Sequence, residues 1–88
     1  MPYIKQYVRP DIDAALQSFI KFFEDFSNWP SGNLNYVITK LLLETKPKSY
    51  EEYNALIGVL ECVKLEFYRR QIAVYEDKKK EENGDVYE

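Results

Sequence analysis

The sequence contains no histidine. That removes the usual proton shuttle at neutral pH and the commonest metal ligand. It contains one cysteine, Cys62, so no disulfide can form within the chain, which fits a reducing cytoplasm. No run approaches the roughly 18 apolar residues that a membrane span needs, and the start, MPYIKQYV, lacks the apolar core of a secretion signal. Neither half is basic. Residues 1–46 carry five basic and five acidic side chains and residues 47–88 carry seven and ten, for a net charge of −3. A nucleic-acid polymer is therefore not an expected partner. There is no P-loop, no G-x-G-x-x-G and no metal-ligand spacing. Cys62 lies in an apolar run and reads as a small buried hydrophobe. No catalytic residue, metal or cofactor is expected, and the chain does not read as an enzyme.

What is abundant is apolar and aromatic. Hydrophobic residues make up 45% of the 88 and aromatics 16%, with eight tyrosines and five phenylalanines. That excludes disorder. Tyrosine combines an apolar body with a polar tip and is favoured where surfaces meet. A chain this short buries only about 60–65% of the surface its unfolded form exposes, so self-association is a natural source of stability.

The segment from Ser49 to Tyr75, SYEEYNALIGVLECVKLEFYRRQIAVY, organises the rest. Ser49 and Glu52 have the spacing of a capping box, and no proline follows. Between Ala55 and Leu65 only Gly58, Glu61 and Lys64 break the apolar run. A helix apolar on nearly every side is a covered helix. From Tyr50 to Asp77 it would extend about 42 Å, whereas a globule of this size is about 30 Å across. A helix longer than its globule must protrude, bend or be covered by a second copy, so a homo-oligomer is expected.

Upstream, Met1–Val8 reads as an extended arm or short strand ahead of Pro10. Pro10, Asp11 and Asp13 suit a helix start. Ile12, Leu16, Phe19, Phe23 and Phe26 then repeat at helical spacing, with Ile20 and Phe22 off the stripe. Ser27–Gly32 reads as a loop in which Trp29 serves the core or caps a pocket. A second helix is predicted from Ser31 or Asn33 to Glu44, with Leu34, Val37, Ile38, Leu41 and Leu42 on one side and Asn35, Tyr36, Thr39 and Lys40 on the other. Lys46-Pro47 ends it. Past Tyr75 a charged helix end leads to a C-cap at Asn83-Gly84 and an extended tail. The fold predicted is all-α, a single domain of three helices with a long third helix and short extended termini.

The runs LNYVITKL (Leu34–Leu41), YNALIGVLECVKLEFYRR (Tyr53–Arg70) and YED…ENGDVY (Tyr75–Tyr87), with MPYIK at the start, resemble a family of small uncharacterised proteins found in bacterial, archaeal and phage genomes. The resemblance covers most of the chain. It implies a cytoplasmic or phage-encoded accessory protein, and it carries over no functional residues.

One polar constellation remains. Asn54, Gly58, Glu61 and Tyr68 step by four, three and seven along one face of the third helix, with Lys64 beside Glu61. Asn35 and Thr39 are four apart on the second helix. Arg69 and Arg70 add two rigid forks suited to phosphate. Amide, hydroxyl, aromatic and guanidinium groups together suit a nucleotide-like ligand. The candidate ligand set is thus Asn35, Thr39, Asn54, Glu61, Tyr68, Arg69 and Arg70. The plainer reading has Glu61 paired with Lys64, the arginines with Glu66 or a neighbouring chain, and Gly58 marking a tight helix crossing. Two functions follow: a non-enzymatic binder of a nucleotide signal at a subunit interface, or a protein–protein module.

Overall fold

The computed structural model describes residues 2–24 and 31–87. Phe26, Trp29 and most of the Ser27–Gly32 segment lie outside the described residues. Every regular element described is helical, with α1 at Arg9–Glu24, α2 at Ser31–Glu44 and a third, 34-residue helix. That long helix comprises α3 (Tyr50–Phe67), a π turn (Tyr68–Ile72) and α4 (Ala73–Asn83). No strand occurs among the described residues. The chain divides into two units, Pro2–Ser49 and Tyr50–Glu88.

In the first unit the extended arm is shorter than its sequence suggests. Gln6–Val8 forms a 3₁₀ turn that leads directly into α1. The arm is tied down by Arg9, whose Nε and Nη2 both donate to the Ile4 carbonyl, at 3.1 and 2.9 Å. Both forks of the guanidinium thus satisfy one carbonyl that the extended segment leaves unpaired.

The end of α2 is built from side chain and backbone together. The Thr45 hydroxyl donates to the Leu42 carbonyl at 2.6 Å, and the Thr45 and Lys46 amides donate to Leu42 and Leu43. Lys46 adopts φ +53°, a left-handed conformation that most residues reach only at a cost. Pro47 prevents the helix from continuing. Lys46→Gly is therefore expected to raise the melting temperature, by the equivalent of about 1 kcal/mol. Lys46→Val, β-branched at positive φ, should lower it by about 1–2 kcal/mol. Equal melting temperatures for the two variants would show that the turn is not held as described.

In the second unit, α3 begins directly after Ser49 and runs unbroken through Gly58 to Phe67. The helix continues beyond Tyr75 to Asn83, where Gly84, at φ +89°, donates its amide to the Lys80 carbonyl at 2.8 Å. Gly84 is the C-cap expected from Asn83-Gly84, and its positive φ is the reason glycine serves there.

No described residue in either unit is buried. Cys62, read as a buried hydrophobe, is exposed. The α1 stripe Ile12, Leu16 and Phe19 is 39–44% exposed rather than core. In the long helix Ile57 is 64%, Val59 54%, Val63 56% and Leu65 57% exposed. At about 100° per residue Ile57, Leu65 and the pair Val59 and Val63, which share a face, point to three different sides of the axis.

Candidate functional site

The candidate residues divide between the two units. Asn35 and Thr39 lie on α2 and are joined to each other, the Thr39 hydroxyl donating to Asn35 Oδ1 at 3.2 Å. Asn54, Glu61, Tyr68, Arg69 and Arg70 lie on the long helix. Asn54, Glu61 and Tyr68 do share one face there. They are spread over 14 residues, about 21 Å of helix at 1.5 Å per residue.

Their polar groups are engaged locally. Glu61 pairs with Lys64 at 3.1 Å, an exposed i,i+3 contact of the kind that contributes about 0–1 kcal/mol. Arg69 Nη2 reaches Glu66 Oε1 at 2.8 Å, and Arg70 Nε lies 4.0 Å from the same oxygen. Glu66 is one of the few partly covered residues of the long helix, and two guanidiniums converge on it. Gly58 is not closely approached. A Cβ built there meets nothing within 4 Å.

The π turn explains the placement of Tyr68. Eight α-helical residues rotate about 80° past two full turns, so Tyr68 and Glu76 would ordinarily lie on different faces. A π turn inserts one extra residue into the helix, takes up about 100°, and brings the two nearly into line. The Tyr68 hydroxyl then donates to Glu76 Oε1 at 2.6 Å. This bond holds the Tyr68 phenol above its ordinary pKa; the Glu76 charge adds to the effect, and the neighbouring Tyr87 contributes least. Tyr68, Glu76, Lys80, Gly84 and Tyr87 help line an open cleft of about 490 Å³ under the C-terminal tail.

A raised phenol pKa has a definite sign. The neutral phenol makes the bond, so its contribution is complete below the ordinary tyrosine range and is lost as pH rises through the raised value. In an ultraviolet titration one tyrosine is expected to ionise late, and Glu76→Gln should bring it back among the others. Superimposable curves for the two proteins would contradict the bond. Neither Glu66 nor Glu76 was among the candidate ligands. Glu66 is detectable from its i+3 and i+4 arginines, whereas Glu76 is hidden by a π turn that no residue type announces.

In the first unit, α1 and α2 enclose a second feature. Their side chains line two adjoining, largely apolar open clefts on the surface, of about 360 and 320 Å³, which share Phe19, Tyr36 and Val37. Phe22 closes one end, and Lys40, Leu41 and Glu44 line the other. Phe22 and Phe23 stand edge to face with centroids 5.5 Å apart. The trough draws on Phe22, off the α1 stripe, and on Tyr36, from the side of α2 read as polar.

Among the described residues no helix is long and apolar enough to cross a membrane. Residues 1–86 match the model of a family described as a domain of unknown function, DUF6899. The chain belongs to that family. No curated protein and no solved structure matches it. Every regular element among the described residues of this member is helical, and the match is in keeping with the uncharacterised family that its motifs resemble.

Proposed function

We propose that this member of DUF6899 is a non-enzymatic protein–protein interaction module that works as a homo-oligomer in the cytoplasm. One observation carries the reading: the long helix presents Ile57, Leu65 and the Val59–Val63 pair on three sides of its axis, each residue more than half exposed. Burying one such side chain contributes about 1.5–3 kcal/mol. A helix of this kind is favoured only when it is covered on more than one face. Its stability then depends on protein concentration. Melting temperature should rise by several degrees between micromolar and hundred-micromolar protein; one independent of concentration would count against the module.

A second reading rests on Arg69 and Arg70 around Glu66, beside Tyr68. An anionic ligand could take the place of the Glu66 carboxylate on Arg69, which holds it at 2.8 Å while Arg70 stands 4.0 Å away. The protein would then sequester a nucleotide-like immune signal at a subunit interface, as a phage-encoded sponge in the host cytoplasm would. A thermal-shift screen with cyclic dinucleotides and ADP-ribose derivatives separates the readings, because a ligand at 100 times its Kd adds about 2.7 kcal/mol. On the ligand reading Arg69→Ala and Arg70→Ala differ, one losing about 1.5–3 kcal/mol of affinity, since adjacent helical residues point about 100° apart. Equal behaviour of both variants toward every ligand leaves the interaction module.

A further inference from the structure

The apolar residues of α3 are not scattered at random around the helix. Tyr53, Leu56, Leu60, Val63 and Phe67 step by three, four, three and four, the spacing of a helix–helix packing seam. From Tyr53 to Phe67 this seam is 15 residues long, about 21 Å, of which Leu56–Phe67 is 12 residues and about 16 Å. The trough of the first unit runs along α2 from Asn33 to Glu44, also 12 residues and about 16 Å. It is lined chiefly by apolar side chains, and a helix with anchors at i, i+4, i+7 and i+11 is the occupant such a groove fits.

We propose that the trough between α1 and α2 receives the α3 seam of a second copy of this chain, reciprocally, so that each copy supplies one trough and one seam. This rests on the homo-oligomer reading and names the two surfaces that would meet. Surface area favours a second copy. Phe19, Phe22 and Tyr36 on the trough and Tyr53 and Phe67 on the seam are 42–64% exposed. Aromatic side chains bury 150–250 Å² each, so these five alone supply roughly 400–700 Å² per copy, approaching the ~800 Å² per partner of a stable interface before any aliphatic is counted. Charge does not oppose the pairing, since Lys40 and Glu44 together line the end of the trough and Lys64, which flanks the seam, is balanced by Glu61 at 3.1 Å. A two-fold pair built this way contains the trough–seam contact twice, as an isologous interface requires.

The reciprocity provides the test. Tyr36→Arg blocks the trough and Val63→Arg blocks the seam, both at positions more than half exposed in the single chain. Each variant alone should dimerise at least 100-fold more weakly than the wild type in sedimentation equilibrium. An equimolar mixture retains one intact contact, the trough of the Val63→Arg chain with the seam of the Tyr36→Arg chain. It should therefore associate at least tenfold more tightly than either variant alone. Circular dichroism verifies that both variants stay helical; if either loses helicity, Tyr36→Ala and Val63→Ala give the same pattern with smaller shifts. A mixture no tighter than its components, with an oligomeric wild type, overturns the trough–seam pairing and leaves the homo-oligomer standing, with like surfaces meeting. A monomeric wild type overturns both.

Discussion

Leu60→Asp is expected to dissociate the protein, raising the dissociation constant at least 100-fold. Leu60 lies at the centre of the Tyr53–Phe67 seam, and the substitution both removes an isobutyl group that the contact would cover and places a carboxylate there, beside a Lys64 already paired with Glu61 at 3.1 Å. Losing the apolar burial costs about 1.5–3 kcal/mol, and an unpaired carboxylate in an apolar contact costs more. Each tenfold in Kd corresponds to about 1.4 kcal/mol, so a 100-fold loss is the lower bound. An uncovered helix predicts a different result: surface substitutions usually change stability by no more than about 0.5 kcal/mol, and association would not change. Sedimentation velocity of the two proteins at matched concentration reads the difference. Equal sedimentation would mean that the seam touches nothing.

The second large effect is at Gly58, where the sign of the change is diagnostic. In the single chain a Cβ at Gly58 meets nothing within 4 Å. Glycine inside an exposed helix costs about 1 kcal/mol against alanine. If α3 is uncovered there, Gly58→Ala and Gly58→Leu should both stabilise the protein by up to that amount. If a neighbouring helix crosses closely at Gly58, Gly58→Leu overpacks the crossing and costs about 1–3 kcal/mol. Gly58 lies about 160° round the helix from Leu60, away from the seam, so the second outcome, a lower melting temperature and weaker association for Gly58→Leu, is the one expected of a helix covered on a further face besides the seam. Stabilisation by both variants would remove any packing role for Gly58.

Much of the backbone is legible in the residues. Ser49 before an acidic first turn marks the start of α3, Pro47 closes off α2, and Asn83-Gly84 ends α4, because each makes one backbone conformation cheap or another impossible. The π turn at Tyr68–Ile72 has no such sign. YRRQI contains neither glycine nor proline, and its extra residue changes the helical phase without changing the composition. Everything downstream of Arg70 therefore faces about 100° away from where an unbroken α-helix would put it, which is why the Tyr68–Glu76 bond was not foreseen. The 3₁₀ turn at Gln6–Val8 escaped for a similar reason, as the alternation of Tyr3 to Val8 imitates a short strand.

The polar candidates were partly legible. Spacing along a helix correctly placed Asn54, Glu61 and Tyr68 on one face and Asn35 beside Thr39. It also foretold the pairing of Glu61 with Lys64 and of the arginines with Glu66, now seen at 3.1 and 2.8 Å. The apolar pattern foretold covered faces, whereas the single chain leaves Cys62 and the α1 stripe exposed. Periodicity reports that a face must be covered and is silent on which molecule covers it.

Self-association is the central claim, and the mass in solution tests it most directly. Multi-angle light scattering across the micromolar range should return an integral multiple of 10.5 kDa, the mass of one chain, falling toward 10.5 kDa only on strong dilution. A mass of 10.5 kDa at every concentration would contradict the account.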